Sequence, residues 1–326
     1  MPERIVITGP TGAVGMALIQ NYIAHGCEVV ALCHRGSSRN EHLPESPLLH
    51  LVETDLADFT EITASDLPKC DIFYHLAWRG TTGAARNDMK LQTENIASTI
   101  AAVELAKRLG CHTFIGAGSQ AEYGRVEGML KPQTPAFPEN GYGMAKLCAG
   151  QMSRLLCEEK GLRHIWVRIL SVYGPYDGEN SMVSSTIRKL LAGGHAAFTP
   201  GEQLWDYLYS GDAAEALRLL GKMGHDGATY VLGSGHAIPL KEYINELYHT
   251  VQKQTGCTGS IGSIGIGELP YADRQVMYLA ADISRLTADT GFMPQTGFGE
   301  GIGKILEEIK NGNESEEIKH CHSLLQ

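Results

Sequence analysis

The stretch Thr8 to Gly15, "TGPTGAVG", constrains this chain more than any other. It follows an apolar run, "RIVITG" (Arg4 to Gly9), that reads as a buried strand. It precedes Val14 to His25, where apolar residues recur at helical spacing. Gly9, Gly12 and Gly15 thus stand at a strand-to-helix junction in a G-x-x-G-x-x-G arrangement. Glycine permits the tight turn, the close approach of a pyrophosphate to the backbone and close helix-to-strand packing, while the helix N-terminus faces the phosphates. In this context the turn predicts a dinucleotide site.

The alternation continues. "EVVALC" (Glu28 to Cys33), "LLHLVET" (Leu48 to Thr54) and "DIFYHLA" (Asp71 to Ala77) read as buried parallel strands. A helix follows from about Met89 to Leu109, then the strand "CHTFIGAG", a helix from about Tyr142 to Lys160 and the strand "RHIWVRIL" (Arg163 to Leu170). Repeated β-then-α predicts the α/β class, a Rossmann-like doubly wound parallel sheet over residues 1–170. Over 171–326 the pattern loosens into helices near Met182 to Ala192, Asp212 to Met223, Leu240 to Thr255 and Glu300 to Lys310, with short strands at "TYVLG" and "VMYLA". This predicts a smaller, mostly helical C-terminal substrate lobe, with some segments returning to the Rossmann core. "GCTGSIGSIGIGELP" (Gly256 to Pro270) reads as a mobile Gly/Ser-rich loop.

A formal net charge of −10 disfavours a nucleic-acid or anionic-membrane surface and favours a small-molecule partner. No apolar run approaches the roughly 20 residues that span a bilayer, and "MPERIVITGP" enters a strand without a signal-peptide core, so a cytoplasmic protein is expected. The eight cysteines (Cys27, Cys33, Cys70, Cys111, Cys148, Cys157, Cys257, Cys321) are scattered and read as reduced thiols. Neither they nor the thirteen histidines show metal-ligand spacing, so no metal is expected.

The end of the second strand decides which dinucleotide. An acidic residue about 20 residues beyond the glycines would grip an NAD ribose, but the sequence there is "ALCHRGSSR", without a carboxylate. Arg35 and Arg39 can pair with a 2′-phosphate and Ser37 or Ser38 can donate to it, so NADP(H) is expected, with NAD(H) as the alternative; the competing reading is a solvated basic turn.

"GAGSQAEYG" (Gly116 to Gly124) leaves a strand with Ser119 at its carboxyl end, where open α/β sheets place ligands; a simple polar turn is the alternative. In "GYGMAK" (Gly141 to Lys146), Tyr142 and Lys146 share one helix face. An adjacent ammonium would draw down the phenol's pKa, making Tyr142 an acid-base group while Ser119 orients a carbonyl or hydroxyl. Tyr-x-x-x-Lys alone would be an ordinary amphipathic helix. The glycine turn and Ser119 give it a function.

Together these motifs resemble the extended short-chain dehydrogenase/reductase family, in its NAD(P)-dependent sugar-nucleotide epimerase, dehydratase and reductase branch. "TGPTGAVG" is similar to the family's T-G-x-x-G-x-x-G, implying cofactor contacts at Gly9, Thr11, Gly12, Val14 and Gly15. "ETDLAD" resembles its loop beside adenine (Asp55, Leu56), and "YHLAW" its segment under the nicotinamide (Leu76, Ala77), with Trp78 beyond on the substrate side. "GSQAEYG" and "YGMAK" are similar to the serine loop and the Tyr-Lys pair. The resemblance implies catalysis by Ser119, Tyr142 and Lys146, with the last two also touching the cofactor. "VRILSVYGP", "GEQLWDYLYSGDAA" and "PYADRQVMYLAADISRLTADTGFMPQTGFGEGI" resemble the family's later segments, implying substrate contacts at Ser171, Trp205 and Arg274, the last holding a diphosphate, beside those of Ser119 and Gln120 in the serine loop.

The departures matter as much. The acidic NAD position of many family epimerases falls on Cys33. The Asp-Glu pair of the family's dehydratases is replaced by Gln120 and Ala121, the nucleotide-binding Arg by Trp205, and an Asn by Ser171. Trp205 could stack on a base or sugar, or fill core. The resemblance therefore implies NADPH-dependent reduction of a keto group on a nucleotide-linked sugar, with a 4-keto-6-deoxyhexose as the expected substrate. The alternatives are a 4-epimerase and a non-catalytic NADP-binding sensor. The helices at about Met89 to Leu109 and Tyr142 to Lys160, with small-residue stripes such as "NIASTIAAVELA", correspond to those that pair family members into homodimers, so a homodimer is expected.

Overall fold

In the first strand Ile5 and Ile7 are buried on one face and Val6 on the other, so the strand is covered on both sides. The computed structural model describes residues 3–63, 65–255 and 261–311. In chain order the first part runs β1 (Arg4–Thr8), α1 (Ala13–Ala24), β2 (Glu28–Cys33), β3 (Leu49–Glu53), β4 (Ile72–His75), α2 (Met89–Arg108), β5 (Thr113–Ser119), β6 (Met129–Leu130), α3 (Gly141–Lys160) and β7 (Arg163–Ile169). The second runs β8 (Ser171–Tyr173), α4 (Met182–Leu191), β9 (His195–Phe198), β10 (Leu204–Trp205), β11 (Tyr207–Tyr209), α5 (Ser210–Met223), β12 (Ala228–Leu232), β13 (Ile238–Pro239), α6 (Leu240–Gln254), β14 (Ser263–Ile266), β15 (Tyr278–Ala281), α7 (Ser284–Thr290) and α8 (Phe298–Lys310).

Seven strands form a central sheet in the order β12-β7-β5-β4-β1-β2-β3, every pair parallel. The winding reverses between β1 and β4, whose last residues Thr8 and His75 pair in register, so a crevice opens beyond these two carboxyl ends. Helices α1 and α5 pack together over one face, and α2 and α3 over the other. α2 starts where the Asp88 carboxylate accepts the Leu91 N–H at 3.1 Å, and it ends in Lys107 and Arg108 against its negative pole. α3 starts on Asn140, which accepts the Gly143 N–H at 2.9 Å, and stops at Gly161 with φ +68°.

Two expectations need correction. "TYVLG" belongs to β12, the edge strand of the central sheet beside β7, and α5 covers that sheet against α1. Apolar alternation marks a strand without saying which sheet it joins. The Gly256 to Pro270 stretch is no uninterrupted loop: β14 lies in it, paired parallel to β9, while residues 256–260 lie outside the described residues. The remaining lobe elements close a core of their own around Phe298, whose ring centroid is 4.8 Å from Tyr173 and 4.7 Å from Tyr243. Cys27, Cys33, Cys70, Cys111, Cys148 and Cys157 are free thiols; Cys257 and Cys321 lie outside the described residues. Among the described residues no helix is long and apolar enough to cross a membrane, and no cluster of His, Cys, Asp and Glu could hold a metal ion.

Among the described residues, His75 and His164 are buried in the sheet. Burial, with Arg154 nearby, lowers the pKa of His164 to about 4, and burial, with Lys146 nearby, lowers that of His75 to about 3. The folded state keeps both neutral where the unfolded chain takes up protons, below about pH 6.5. The unfolded state then binds more protons, so stability present at neutral pH is lost as pH falls from about 6.5 through the folded values. Urea unfolding should show the free energy declining by up to about 1.4 kcal/mol per pH unit for each histidine in that window. His164→Gln should give a visibly shallower slope, and an unchanged slope would mean that His164 is charged in the native protein.

Candidate active site

The glycine turn closes tightly on the end of β4. Gly9 has φ +70°, and a Cβ there would lie 2.9 Å from the Ala77 nitrogen. A Cβ on Gly15 would come within 2.1 Å of the Gly9 carbonyl oxygen, so the first turn of α1 lies flat on the loop only because residue 15 has no side chain. The Thr8 hydroxyl accepts the N–H groups of Leu76 and Ala77, each at 3.1 Å, and locks the two chain segments together. Gly12 differs: a Cβ there would meet nothing nearer than 3.9 Å, and as N-cap of α1 it offers no side-chain cap. The turn therefore presents an open floor below uncapped helix N–H donors, with Thr11 before it and Val14 in the first helical turn. These residues fit the diphosphate of a dinucleotide.

At the end of β2 the Cys33 thiol points into the core, donates to the Ala31 carbonyl at 3.4 Å, and has its pKa raised to about 11 by burial. His34 Nδ1 lies 2.5 Å from Asp55, and Arg35 lies 3.6 Å from Asp55 and 3.1 Å from Asp58, so carboxylates from the following loop partly neutralise this basic turn. Asp55 also starts the short 3-10 turn Leu56–Thr60, and Ser37 starts another, Ser38–His42. From that second turn Arg39 donates to the carbonyls of Thr11 at 2.7 Å and Tyr176 at 3.0 Å, tying the loop to the glycine turn and to the chain after β8. Among the described residues no carboxylate forms an ion pair with Arg39.

Ser119, buried at the end of β5, and Tyr142, in the first turn of α3, come together, the Ser119 side chain close enough to the phenol to lower its pKa. Lys146, one turn further along α3, is brought to the same place but is directed differently from expectation. Its Nζ donates to the Ala117 carbonyl at 2.6 Å and lies 3.9 Å from the centre of the Trp78 ring, against 5.9 Å from that of Tyr142. Burial lowers the Lys146 pKa to about 7, with Glu122 acting the other way. Tyr142 is not drawn below its ordinary pKa either. Burial raises it, the Ser119 hydrogen bond and the Arg86 guanidinium lower it, and Glu122 raises it. The cation that acts on the phenol is Arg86, whose guanidinium carbon sits 4.6 Å from the Tyr142 ring centre. Trp78, expected on the substrate side, packs edge-on to Tyr142 and under Lys146, with its indole N–H donating to Gln92 at 2.9 Å.

Sequence reasoning missed Arg86 and Glu122. Arg86 lies in a short 3-10 turn with no periodic signal. Glu122 had one: Ser119-x-x-Glu122 is the pattern of a capping box, and both of its reciprocal hydrogen bonds form. The Glu122 carboxylate is fully buried and accepts from the Ser119 N–H at 2.8 Å, Trp166 Nε1 at 3.0 Å and Arg168 Nε at 2.7 Å.

On the substrate side Gln120 is half-buried directly after Ser119, and Ser171 opens β8 opposite Tyr207. Trp205, half-buried, packs between the lobe's apolar cluster and a second one that includes Tyr123, Leu130 and Val231, which favours the core-filling reading. Arg274 is exposed with φ +60°, and its charge acts on Glu139, just before the Asn140 cap of α3.

The NAD dependent epimerase/dehydratase family model matches residues 5–233. A UDP-glucose 4-epimerase of Mycolicibacterium smegmatis is 26% identical, over 94% of this chain and 99% of its own length. A dTDP-4-dehydro-6-deoxyglucose reductase of Escherichia coli is 24% identical, over 94% and 97% respectively. The UDP-glucuronic acid 4-epimerase of Bacillus cereus, solved with UDP-glucuronic acid and NAD, shares the fold with a TM-score of 0.79 at 20% identity, over 94% of this chain and 99% of that one. With its parallel sheet, its glycine turn at the switch point and a match across most of its length, the chain belongs to the NAD dependent epimerase/dehydratase family of enzymes.

Proposed function

We propose that this enzyme reduces a keto group on a nucleotide-linked 6-deoxyhexose, a 4-keto-6-deoxy sugar, at the expense of NADPH. One observation carries the choice of reaction. The carboxylate of the serine loop, Glu122, is committed to a buried pair with Arg168, and the residues after Ser119 are an amide and a methyl group. A dehydration needs an acid and a base poised over the sugar; a carbonyl reduction needs a single proton donor beside the carbonyl oxygen. The relative named as a dTDP-4-dehydro-6-deoxyglucose reductase supports the same choice.

The dinucleotide, when bound, supplies the hydride that converts the carbonyl carbon to an alcohol carbon. The chain's own part is to hold and protonate the oxygen. Ser119 donates to that oxygen, Tyr142 delivers the proton, and Lys146 binds the ribose. Burial keeps Tyr142 protonated at neutral pH, which suits a donor. Arg274 would reach the diphosphate from the lobe. Tyr142→Phe should cut turnover by roughly 10²- to 10⁴-fold while leaving NADPH affinity intact; turnover equal to wild type would sink the assignment.

The 4-epimerase reading has its own support in the Mycolicibacterium smegmatis relative and in the pairing of Arg35 with Asp55 and Asp58, which weakens the case for a 2′-phosphate. Stoichiometric loss of NADPH absorbance with a 4-keto sugar nucleotide favours reduction; interconversion of two sugars without net cofactor change favours epimerisation. The cofactor itself is the cheaper test. By calorimetry NADPH should bind about tenfold or more tighter than NADH, and Arg39→Ala should erode that preference more than Arg35→Ala. Equal affinities in the wild type would put the epimerase first.

A homodimer through α2 and α3 completes the reading. Met144, Cys148, Met152 and Leu155 recur at helical spacing along the outer face of α3 and are all exposed, an apolar stripe of the kind that a second copy covers. Sedimentation at micromolar concentration should give twice the chain mass, and a Met152→Glu, Leu155→Glu double variant should sediment as a folded monomer. A monomeric wild type would refute the dimer.

A further inference from the structure

The phenol expected to take its positive neighbour from its own helix has one from elsewhere. Arg86 lies on the 3-10 turn Gly83–Asn87, between β4 and α2. That turn is docked on the first turn of α3. Asn87 Oδ1 accepts the Gly141 N–H at 2.9 Å, and a Cβ on Gly141 would lie 3.0 Å from the Arg86 carbonyl oxygen. Arg86 itself donates to the Thr81 carbonyl at 3.1 Å. The contact holding Arg86 over Tyr142 is therefore anchored on both sides of the side chain.

Among the described residues no carboxylate forms an ion pair with Arg86, so its charge is uncompensated by an immediate partner. A guanidinium stays charged at any pH a protein tolerates, whereas an ammonium with a pKa near 7 is partly neutral at neutral pH. A cation over the face of an aromatic ring is attracted to the ring itself, and more strongly to the tyrosinate that forms as the proton leaves. The groups around Tyr142 are Ser119 from β5, Glu122 from the following turn, Trp78 from the loop after β4, Lys146 from α3, and Arg86. Of these, Arg86 is the permanent positive charge.

We propose that Arg86 is a positioning residue of the reaction, holding a fixed positive charge against the Tyr142 ring and thereby making the phenol a stronger proton donor, a task the Tyr-x-x-x-Lys pattern alone would give to Lys146. This rests on the reading of Tyr142 as proton donor. In this role the guanidinium acts through the phenol.

The test reads Tyr142 directly. In the free enzyme, ultraviolet titration of tyrosinate, with Tyr142 identified as the signal missing from Tyr142→Phe, should move to higher pH by about one unit in Arg86→Gln and return most of the way in Arg86→Lys. The alkaline limb of the kcat profile should move the same way, with kcat lowered about tenfold and the Kd for NADPH unchanged. Circular dichroism and the thermal midpoint verify that each variant is folded, and Arg86→Lys carries the test should Arg86→Gln not fold, since its shorter-reaching charge should still leave a measurable shift. A Tyr142 titration that stays in place in a folded Arg86 variant overturns the proposal while leaving the proton-donor reading intact. Wild-type activity in Tyr142→Phe overturns that reading instead, whatever the titration shows.

Discussion

The buried carboxylate of Glu122 is the interaction on which the site depends. Three partners converge on it from two neighbouring strands: the Ser119 N–H at the end of β5, and the side chains of Trp166 and Arg168 from β7. A Cβ on Gly118 would strike both the Trp166 indole nitrogen and the Glu122 carboxylate, at 2.4 and 2.5 Å, so the pair fits only against bare backbone. Removing one member of such a buried pair leaves the other charged and unsolvated, at a cost of about 3 to 5 kcal/mol. That penalty fixes the direction in which β5 ends, and hence where the Ser119 hydroxyl meets Tyr142. The anion serves the architecture, and in doing so is withdrawn from proton transfer.

Most of the fold was legible because parallel strands buried on both faces read as short apolar runs, and the helices between them carry their own caps. β1, β2 and β7 needed nothing else. β12 and β14 were harder for a common reason. A strand added at the edge of a sheet after a long excursion has the same local pattern as a strand of a separate lobe. Only the pairing of Ala228–Leu232 with β7 distinguishes them, and pairing is a property of distant residues. The glycines in and around β14 suggested a loop because glycine weakens strand propensity, yet Ser263–Ile266 pairs parallel with His195–Phe198.

That the glycine turn sits at the sheet's switch point and that Ser119, Tyr142 and Lys146 lie together was legible from spacing. What could not be read was how charge is shared among them. Lys146 and Tyr142 do lie on one face of α3, yet the ammonium is drawn to the Ala117 carbonyl and the Trp78 ring. Helical spacing fixes which residues are neighbours; the choice among competing acceptors within a few ångströms depends on what β4 and β5 bring alongside. Arg86 enters by the same route, through a turn whose position depends on Asn87 gripping the backbone of α3.

The basic turn after β2 shows how such sharing can decide a cofactor. Counting cations gave Arg35 and Arg39 equal weight, but they are not equivalent. Arg35 is more than half exposed, and its ion pairs with Asp55 and Asp58 therefore contribute about 0 to 1 kcal/mol. A pair that weak exchanges readily for a charge-assisted bond to a phosphate, worth about 1.5 to 3 kcal/mol. The two carboxylates remain close by, however, and repel the phosphate that Arg35 would accept. Among the described residues Arg39 forms no ion pair, although its charge acts on the buried Asp177, and its bonds to the Thr11 and Tyr176 carbonyls already hold it across the mouth of the glycine turn. The electrostatics of this turn therefore set Arg39 against the field of Asp55 and Asp58, a balance for which the number of arginines in the sequence is a poor guide.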